Sequence, residues 1–197
     1  MTAIIGYKDK IGNVFLGADS AAVGVNLIIP VKTSKIIIYE NLYTEEKEID
    51  LAIAYAGSFF IGNILERWKM NISNMPKIQK DKDMIEVFIP ALKDWLCAND
   101  YTKSKLKGGL IVATRKEFYY IDEDFHVHQP YYDYTAGGVS ENIAYGALGG
   151  LYDLHQQDRI DGKELGIKAL QIIDRHSPDV CRPLILYNIT RKIRTEI

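Results

Sequence analysis

Cysteine is scarce in this chain: Cys97 and Cys181 are the only two in 197 residues. Two thiols do not build a disulfide framework, and both are expected to be reduced. Excess charge is missing as well. Lys and Arg number 24 against 26 Asp and Glu, a net charge of -2, which gives no reason to expect nucleic acid or an anionic membrane as a partner. The longest apolar stretches are strand-sized, so none is expected to span a bilayer. No basic segment followed by an apolar one opens the chain, and a cytoplasmic location is the expectation. Solenoid repeats and low-complexity segments are absent. Gly149-Gly150 lacks the spacing of a phosphate loop. The rest is ordinary globular usage, 47% hydrophobic and 25% charged, in 22.4 kDa. The expectation is a single domain over residues 1–197 with a substantial core.

The pattern that is present alternates between blocks of strands and pairs of helices. Thr2–Tyr7, Val14–Asp19, Lys35–Tyr39 and Asp50–Ala56 read as short apolar strands, with turn chemistry at Lys8–Asn13 and a charged connection over Glu40–Glu48. After Gly57 the period changes. Phe60, Ile61, Ile64, Leu65 and Trp68 recur at helical spacing behind Ser58 as N-cap. A polar link over Asn71–Asp81 leads to a second helix through Ile85, Phe88, Leu92 and Leu96, in which Pro90 marks a kink or a break. A second β block occupies Gly109–Thr114, Glu117–Asp122, Val127–His128 and Tyr132–Ala136. Two more helices come next, one behind Ser140 and one over Gly162–Arg175, then a strand at Leu184–Ile189 and a charged tail. Paired helices between strand blocks argue against a βαβ parallel sheet. They predict an α+β fold: a four-layer αββα sandwich of two antiparallel sheets with helix pairs outside.

The chemistry concentrates near the start. Thr2 comes directly after Met1, and a threonine freed of Met1 carries a hydroxyl nucleophile and an α-amine base on one residue. The free amine has an unperturbed pKa of about 8, suited to taking the hydroxyl proton. Asp19, at the end of the second strand, and Lys35, at the head of the third, supply the charges such a nucleophile needs. Taken singly, each has a bland reading: Asp19 as a turn residue, Lys35 as an edge-strand lysine. His126 and His128 alternate along one strand as two metal ligands would, but no third ligand has suitable spacing, so exposed strand histidines and no metal are expected. His155 and His176 are expected at helix ends, where a cation meets terminal carbonyls. Tyr131, Tyr132 and Tyr134 read as a strand and its packing, since no basic groove accompanies them. Cys97 fits a helix core position and Cys181 a loop.

Fragments in order along nearly the whole chain resemble the proteasome β-subunit family, including its simpler bacterial ATP-dependent relatives, within the N-terminal-nucleophile hydrolases. They are Thr2-Ala-Ile-Ile-Gly6, Gly17-Ala-Asp19-Ser20, Lys35-Ile36, Ala52-Ile-Ala-Tyr-Ala-Gly57-Ser58 and Tyr120-Ile-Asp122. Ala136-Gly137-Gly138, Ser140-Glu141, Ala144-Tyr-Gly-Ala-Leu148 and Lys168-Ala-Leu170 continue the series. The resemblance implies Thr2 as nucleophile, Asp19 holding Lys35, and Lys35 beside the threonine, favouring the neutral amine. It implies the Gly57 N–H as oxyanion donor, and Ala22, Thr33, Tyr55 and Phe59 around a pocket for an apolar side chain. There are departures. The family's Gly-Ser-Gly reads Ala136-Gly137-Gly138, with Ser140 as the candidate substitute. Its Asp-x-x-Ser-Gly reads Asp179-Val-Cys-Arg-Pro183.

The activity that the resemblance implies is that of a threonine endopeptidase acting on peptide or unfolded-protein substrates, without metal or organic cofactor. It implies a homo-oligomeric ring enclosing the sites, and a separate ATPase unfoldase as partner, because no nucleotide-binding motif is present here. Two alternatives stay open: a non-peptidase amidase of the same nucleophile class, and a non-catalytic assembly subunit.

Overall fold

The computed structural model describes residues 2–23, 28–30, 34–44, 47–68, 83–99, 106 and 108–197, with the backbone alone for 21–23, 28–30, 40–44 and 47–50. Twelve strands lie among them: β1 Ala3–Lys8, β2 Val14–Ala18, β3 Ala21–Val23, β4 Ile28–Pro30, β5 Ile36–Thr44 and β6 Lys47–Tyr55. The others are β7 Leu110–Thr114, β8 Phe118–Ile121, β9 Val127–His128, β10 Tyr134–Gly138, β11 Ile185–Asn188 and β12 Ile193–Glu196. The helices are α1 Phe59–Trp68, α2 Ile89–Ala98, α3 Glu141–Gln156 and α4 Gly162–His176. One five-stranded sheet has the order β10-β1-β2-β11-β12, the other β5-β6-β7-β8-β9, and β3 pairs with β4 apart from both. Every pairing is antiparallel. This is the α+β sandwich predicted from the element order.

Strand alternation builds three apolar layers. Along β1, Ala3, Ile5 and Tyr7 join the core under α3 and α4, while Ile4 faces the other sheet. Along β6, Leu51, Ile53 and Tyr55 join the core under α1 and α2, while Ala52, Ala54 and Ala56 face the first sheet. Because both faces are covered over Ala3–Tyr7 and Leu51–Tyr55, these runs carry no charged residue and do not alternate apolar with polar. The helices are positioned by local chemistry. The Phe60 N–H donates to Ser58 Oγ (3.2 Å), so Ser58 is the N-cap expected. Asp161 caps α4 by accepting from the Glu164 N–H (2.7 Å), and Glu164 pairs with Lys168 one turn on. Pro90 stands in the first turn of α2, directly after a π-helical turn at Met84–Phe88. With no N–H to give, proline interrupts the regular ladder there, and the wider turn absorbs it.

The structure departs from the sequence reading in four places. The charged stretch 40–48 is mostly strand, because the β5–β6 hairpin continues past a shift in register between Tyr39 and Leu42. A bulge lets backbone pairing outrun the side-chain pattern. The tail forms β12 on the sheet edge, where exposed charge is tolerated. The short β3–β4 pair has no counterpart in the sequence reading. The fourth strand of the second β block runs from Tyr134 to Gly138, so the two glycines belong to the sheet rather than to the start of α3. The link over Asn71–Asp81 lies outside the described residues.

Gly138 shows why glycine ends that strand. Its φ is +94°, and a Cβ there would lie 2.0 Å from the Thr2 carbonyl oxygen. Gly138→Ala therefore has to distort φ or displace Thr2, at a cost of about 1–3 kcal/mol for the backbone alone. A lowered urea midpoint is expected. A midpoint equal to the parent's would show that β1 yields at Thr2 without cost.

Candidate active site

Thr2, Asp19 and Lys35, separated in sequence, meet where the two sheets face each other. Thr2 enters β1 and Asp19 leaves β2, both in the first sheet. Lys35 immediately precedes β5 in the second. All three are sealed from solvent, at 1%, 0% and 1% exposure. Lys35 Nζ donates to Thr2 Oγ1 at 2.8 Å and to Asp19 Oδ1 at 2.9 Å. The same Asp19 oxygen accepts the Ala3 N–H at 3.0 Å, and the Asp19 N–H donates back to the Ala3 carbonyl at 3.2 Å. The carboxylate thus fixes both the lysine and the residue next to the threonine. The Phe59 ring centroid lies 5.8 Å from Lys35 Nζ, within cation–π range.

Burial holds the Lys35 pKa below the ordinary lysine value of 10.5, against the opposing pull of the Asp19 charge and hydrogen bond. A lysine in this setting is a cation with little water around it, so its field on Thr2 Oγ1 is weakly screened.

The second sheet supplies the facing wall. The Ala56 N–H donates to the Gly109 carbonyl at 2.8 Å, which ends the strand pairing. Gly57 comes next with φ +117°, exposed, its N–H meeting no acceptor among the described residues. Tyr55 is 2% exposed and packs in the core under α1, edge-on to Phe59 at 6.4 Å. Burial pushes its hydroxyl up to about 12. Ala22 lies in β3, opposite Ile29, and its side chain is outside the described part. Thr33 and Met1 lie outside the described residues.

Ser140, the candidate substitute serine, bonds another serine. It stands two residues past Gly138 at the N-cap of α3, yet makes no capping bond. Its hydroxyl is buried and shares a 2.6 Å hydrogen bond with Ser177 Oγ. Ser177 was missed in the sequence, where nothing marks a serine after α4 as a partner for one before α3. The Asp179 N–H points at the same Ser177 oxygen, at 3.4 Å. Cys181 also belongs here: its carbonyl accepts the Ser20 N–H at 3.1 Å. Burial, and then the Asp19 charge, raise the thiol pKa although Lys35 opposes them, so the sulfur is kept as the unreactive thiol. The available signal was the departure itself: of the fixed positions of that motif only Asp179 is kept, with Arg182 and Pro183 where serine and glycine stand.

Other sequence candidates settle elsewhere. His126 Nδ1 and His128 Nε2 both contact Asp122 Oδ2, at 3.2 and 2.8 Å. Desolvation raises the Asp122 pKa, but the bonds from His128 and from the His126 and Asp124 N–H groups win and take it to about 2. No group of three metal-ligating side chains occurs among the described residues. His155 lies in the last turn of α3, as expected, and is buried. Its Nε2 accepts from the Lys10 N–H and its Nδ1 faces the Ile160 carbonyl, which needs the neutral ring. Gly149 and Gly150 lie inside α3. No helix among the described residues is long and apolar enough to cross a membrane.

No protein-family model matches the chain, and no curated protein sequence does. Solved structures do. The chain superposes on BPH of Thiobacillus denitrificans with a TM-score of 0.77 at 13% identity, covering 98% of this chain and 97% of that one. The same protein in complex with epoxomicin gives 0.76 at 14% identity, with 98% of both chains covered. Eukaryotic HslV from Trypanosoma brucei gives 0.68 at 19%, covering 93% and 97%. Anbu, the ancestral beta-subunit from Yersinia bercovieri, gives 0.68 at 13%, covering 99% and 86%. At such identities the likeness is one of fold: this chain has the proteasome-like fold of these structures.

The buried pair makes a sharp stability test. Asp19→Asn leaves Lys35 without its counter-charge, and about 3–5 kcal/mol of destabilisation is expected in denaturant unfolding. Removing both charges in Asp19→Asn/Lys35→Met is expected to recover a substantial part of that loss. Additive losses in the double variant would mean that the two charges are not coupled.

Proposed function

We propose that the chain is a threonine-type peptidase in which Thr2, exposed by loss of Met1, is the nucleophile. The observation that carries this reading is the Lys35 ammonium bonded at once to Thr2 Oγ1 and Asp19 Oδ1 in a dry site. In the reaction, Thr2 Oγ1 attacks the peptide carbonyl carbon and gives its proton to its own α-amine. The amine returns that proton to the leaving amine as the C–N bond breaks, leaving an ester on Thr2. It then takes a proton from the water that attacks the ester carbon, and passes it to Thr2 Oγ1 as the acyl C–O bond breaks and the acid is released. Lys35 stays charged throughout. It lowers the pKa of the neighbouring α-amine and stabilises the alkoxide. The Gly57 N–H, without a competing acceptor, is the candidate oxyanion donor, a contribution of about 3–4 kcal/mol to the barrier. Phe59, half-buried and beside Lys35, is the best placed of the candidate pocket residues, and it favours an apolar side chain.

Assembly into a homo-oligomeric ring, with access limited to unfolded chains and an ATPase unfoldase as feeder, is inferred from the kinship in fold with the HslV and Anbu structures. Tyr131, Tyr132 and Val139, exposed at 95%, 61% and 60%, offer apolar surface for such contacts. The complex of Thiobacillus BPH with epoxomicin supplies the reagent for the test. A peptide epoxyketone forms its two-bond adduct only with a free threonine amine and its own hydroxyl. Intact mass is expected to show a chain without Met1, and one epoxomicin adduct mapping to Thr2. A processed chain that takes no adduct would favour the small-amide hydrolase, and a retained Met1 the non-catalytic subunit.

The pH profile gives an independent check. A free α-amine predicts a rising limb in kcat/KM at or below about pH 8, and loss of the Lys35 charge predicts a falling limb below 10.5, since burial lowers that pKa. An activity still climbing at pH 10.5 would exclude Lys35 as a required cation.

A further inference from the structure

The peptide joining Ala56 to Gly57 carries the exposed Gly57 N–H, and the strand end before it is held from both flanks. On one side the Tyr55 N–H donates to the Lys35 carbonyl at 3.1 Å, and on the other the Ala56 N–H donates to the Gly109 carbonyl at 2.8 Å. Those two bonds fix where the strand stops. They leave open the plane of the next peptide, because neither uses its C=O or its N–H.

A glycine sets that plane. Gly108 is half-buried with φ +151°, a conformation that residues with a side chain rarely adopt. The Ala56 carbonyl oxygen lies where a side chain at Gly108 would begin. A Cβ there would be 2.0 Å from that oxygen, 2.9 Å from the Ala56 carbonyl carbon and 3.1 Å from the Gly57 Cα. All three atoms belong to the peptide between Ala56 and Gly57, which therefore rests on Gly108. A trans peptide directs its N–H opposite to its C=O. With the carbonyl turned onto Gly108, the Gly57 N–H is turned away from it, and it meets no acceptor among the described residues.

Tyr120 supports the neighbouring residue. It packs on the middle layer, between the two sheets. A Cβ on Gly109 would meet Tyr120 Oη at 2.6 Å, and one on Gly137 would meet its Cε2 at 3.0 Å. The phenol thus fills the room left by a glycine of each sheet, and it backs the residue whose carbonyl holds Ala56.

We propose that Gly108 and Tyr120 are positioning residues for the oxyanion donor. Gly108 sets the direction of the Gly57 N–H, and Tyr120 keeps Gly109 in place against the end of β6. The inference rests on the reading of Thr2 as nucleophile. A methyl group at Gly108 has to drive the Ala56 oxygen away to an ordinary C···O contact of about 3.3 Å. Because the peptide is planar, tilting its C=O tilts the N–H as well.

The test is Gly108→Ala in the assembled protein, with hydrolysis of acetyl-Leu-Leu-Leu-aminomethylcoumarin measured beside inhibition by the boronic acid analogue of acetyl-Leu-Leu-Leu. In the inhibited site Thr2 Oγ1 bonds to boron, its proton passes to the α-amine, and a boron hydroxyl stands where the oxyanion forms. The inhibition constant therefore reports the donor. A kcat about 100-fold lower is expected, with KM within about twofold and the boronate constant raised by a factor similar to that in kcat. A variant that merely kept fewer intact sites would lose kcat and bind the boronate as the parent does. Gly12→Ala isolates backbone strain, since φ is +86° there and a Cβ meets nothing within 4 Å, and it is expected to keep both constants. Tyr120→Leu involves no positive φ and is expected to move kcat and the boronate constant together by about tenfold, which keeps the test open where Gly108→Ala does not fold. Parental constants in the folded variants, or a fall in kcat without weaker boronate binding, would overturn the inference alone. A parent protein that neither hydrolyses the peptide nor binds the boronate would overturn the Thr2 reading and this inference with it.

Discussion

Lys35 and Asp19 form an ion pair with both partners removed from water, and it joins the two sheets at the edge where Thr2 enters. Desolvating two charges costs several kcal/mol each, and their attraction offsets this only when the geometry is tightly held. Here it is held from three directions. Asp19 is bound to β1 through Ala3, Lys35 is bound to Tyr55 through its own carbonyl at 3.1 Å, and Thr2 Oγ1 takes a second ammonium hydrogen. A shift of one sheet against the other by even an ångström would lengthen these bonds together. The pair therefore sets how the sheets meet at this edge, and an apolar substitute could pack there without imposing that alignment. The weak net stabilisation expected of such a pair is consistent with a role in positioning.

Small side chains allow the sheets to meet. Ala52 and Ala54 of β6, Ala56 directly after it and Ala18 of β2 share the middle layer, where the bulkier Ile4, Leu16 and Ile111 interleave. Close spacing brings the end of β6 within reach of β1 and β10: Ala56 Cβ would be 3.4 Å from a side chain at Gly138. The same packing that excludes water from the core also excludes it from the ammonium. That is why burial, rather than the neighbouring carboxylate, dominates the Lys35 pKa. Core and site are one construction, with the polar groups placed where the apolar layer ends.

Legibility in the sequence tracked the range of the physics. Doubly covered strands such as Asp50–Ala56, and helices whose apolar period runs unbroken, as over Gly162–Arg175, were readable because each residue reports its own burial. Thr2, Asp19 and Lys35 were readable because short motifs at strand ends carry them. The far half of the β5–β6 hairpin and the edge strand β12 were not, since backbone pairing holds them and their side chains show no apolar pattern. The Ser140–Ser177 bond was hidden for another reason. It joins residues 37 apart in sequence across a helix pair, and neither serine has a local partner to announce it.

That serine pair bears on how the charge near Thr2 is balanced. The proteasome β-subunit motifs that the sequence resembles put a serine where this chain has Gly137, within β10, and an aspartate before the last strand. This chain places two neutral hydroxyls in contact instead, 2.6 Å apart and buried. A hydroxyl pair can hold the two segments together and orient their hydrogens, but it adds no negative charge to answer the lysine. Asp179 keeps its carboxylate in the neighbourhood, yet it is the backbone N–H that is directed at Ser177. The nearby thiol of Cys181 is held protonated and is no substitute anion. Neutralisation of Lys35 therefore falls on Asp19, whose Oδ1 already serves both the lysine and the Ala3 N–H. The ammonium at Thr2 Oγ1 is thus one half of a neutral pair, and it meets the threonine as a directed hydrogen bond of 2.8 Å rather than as a net positive field.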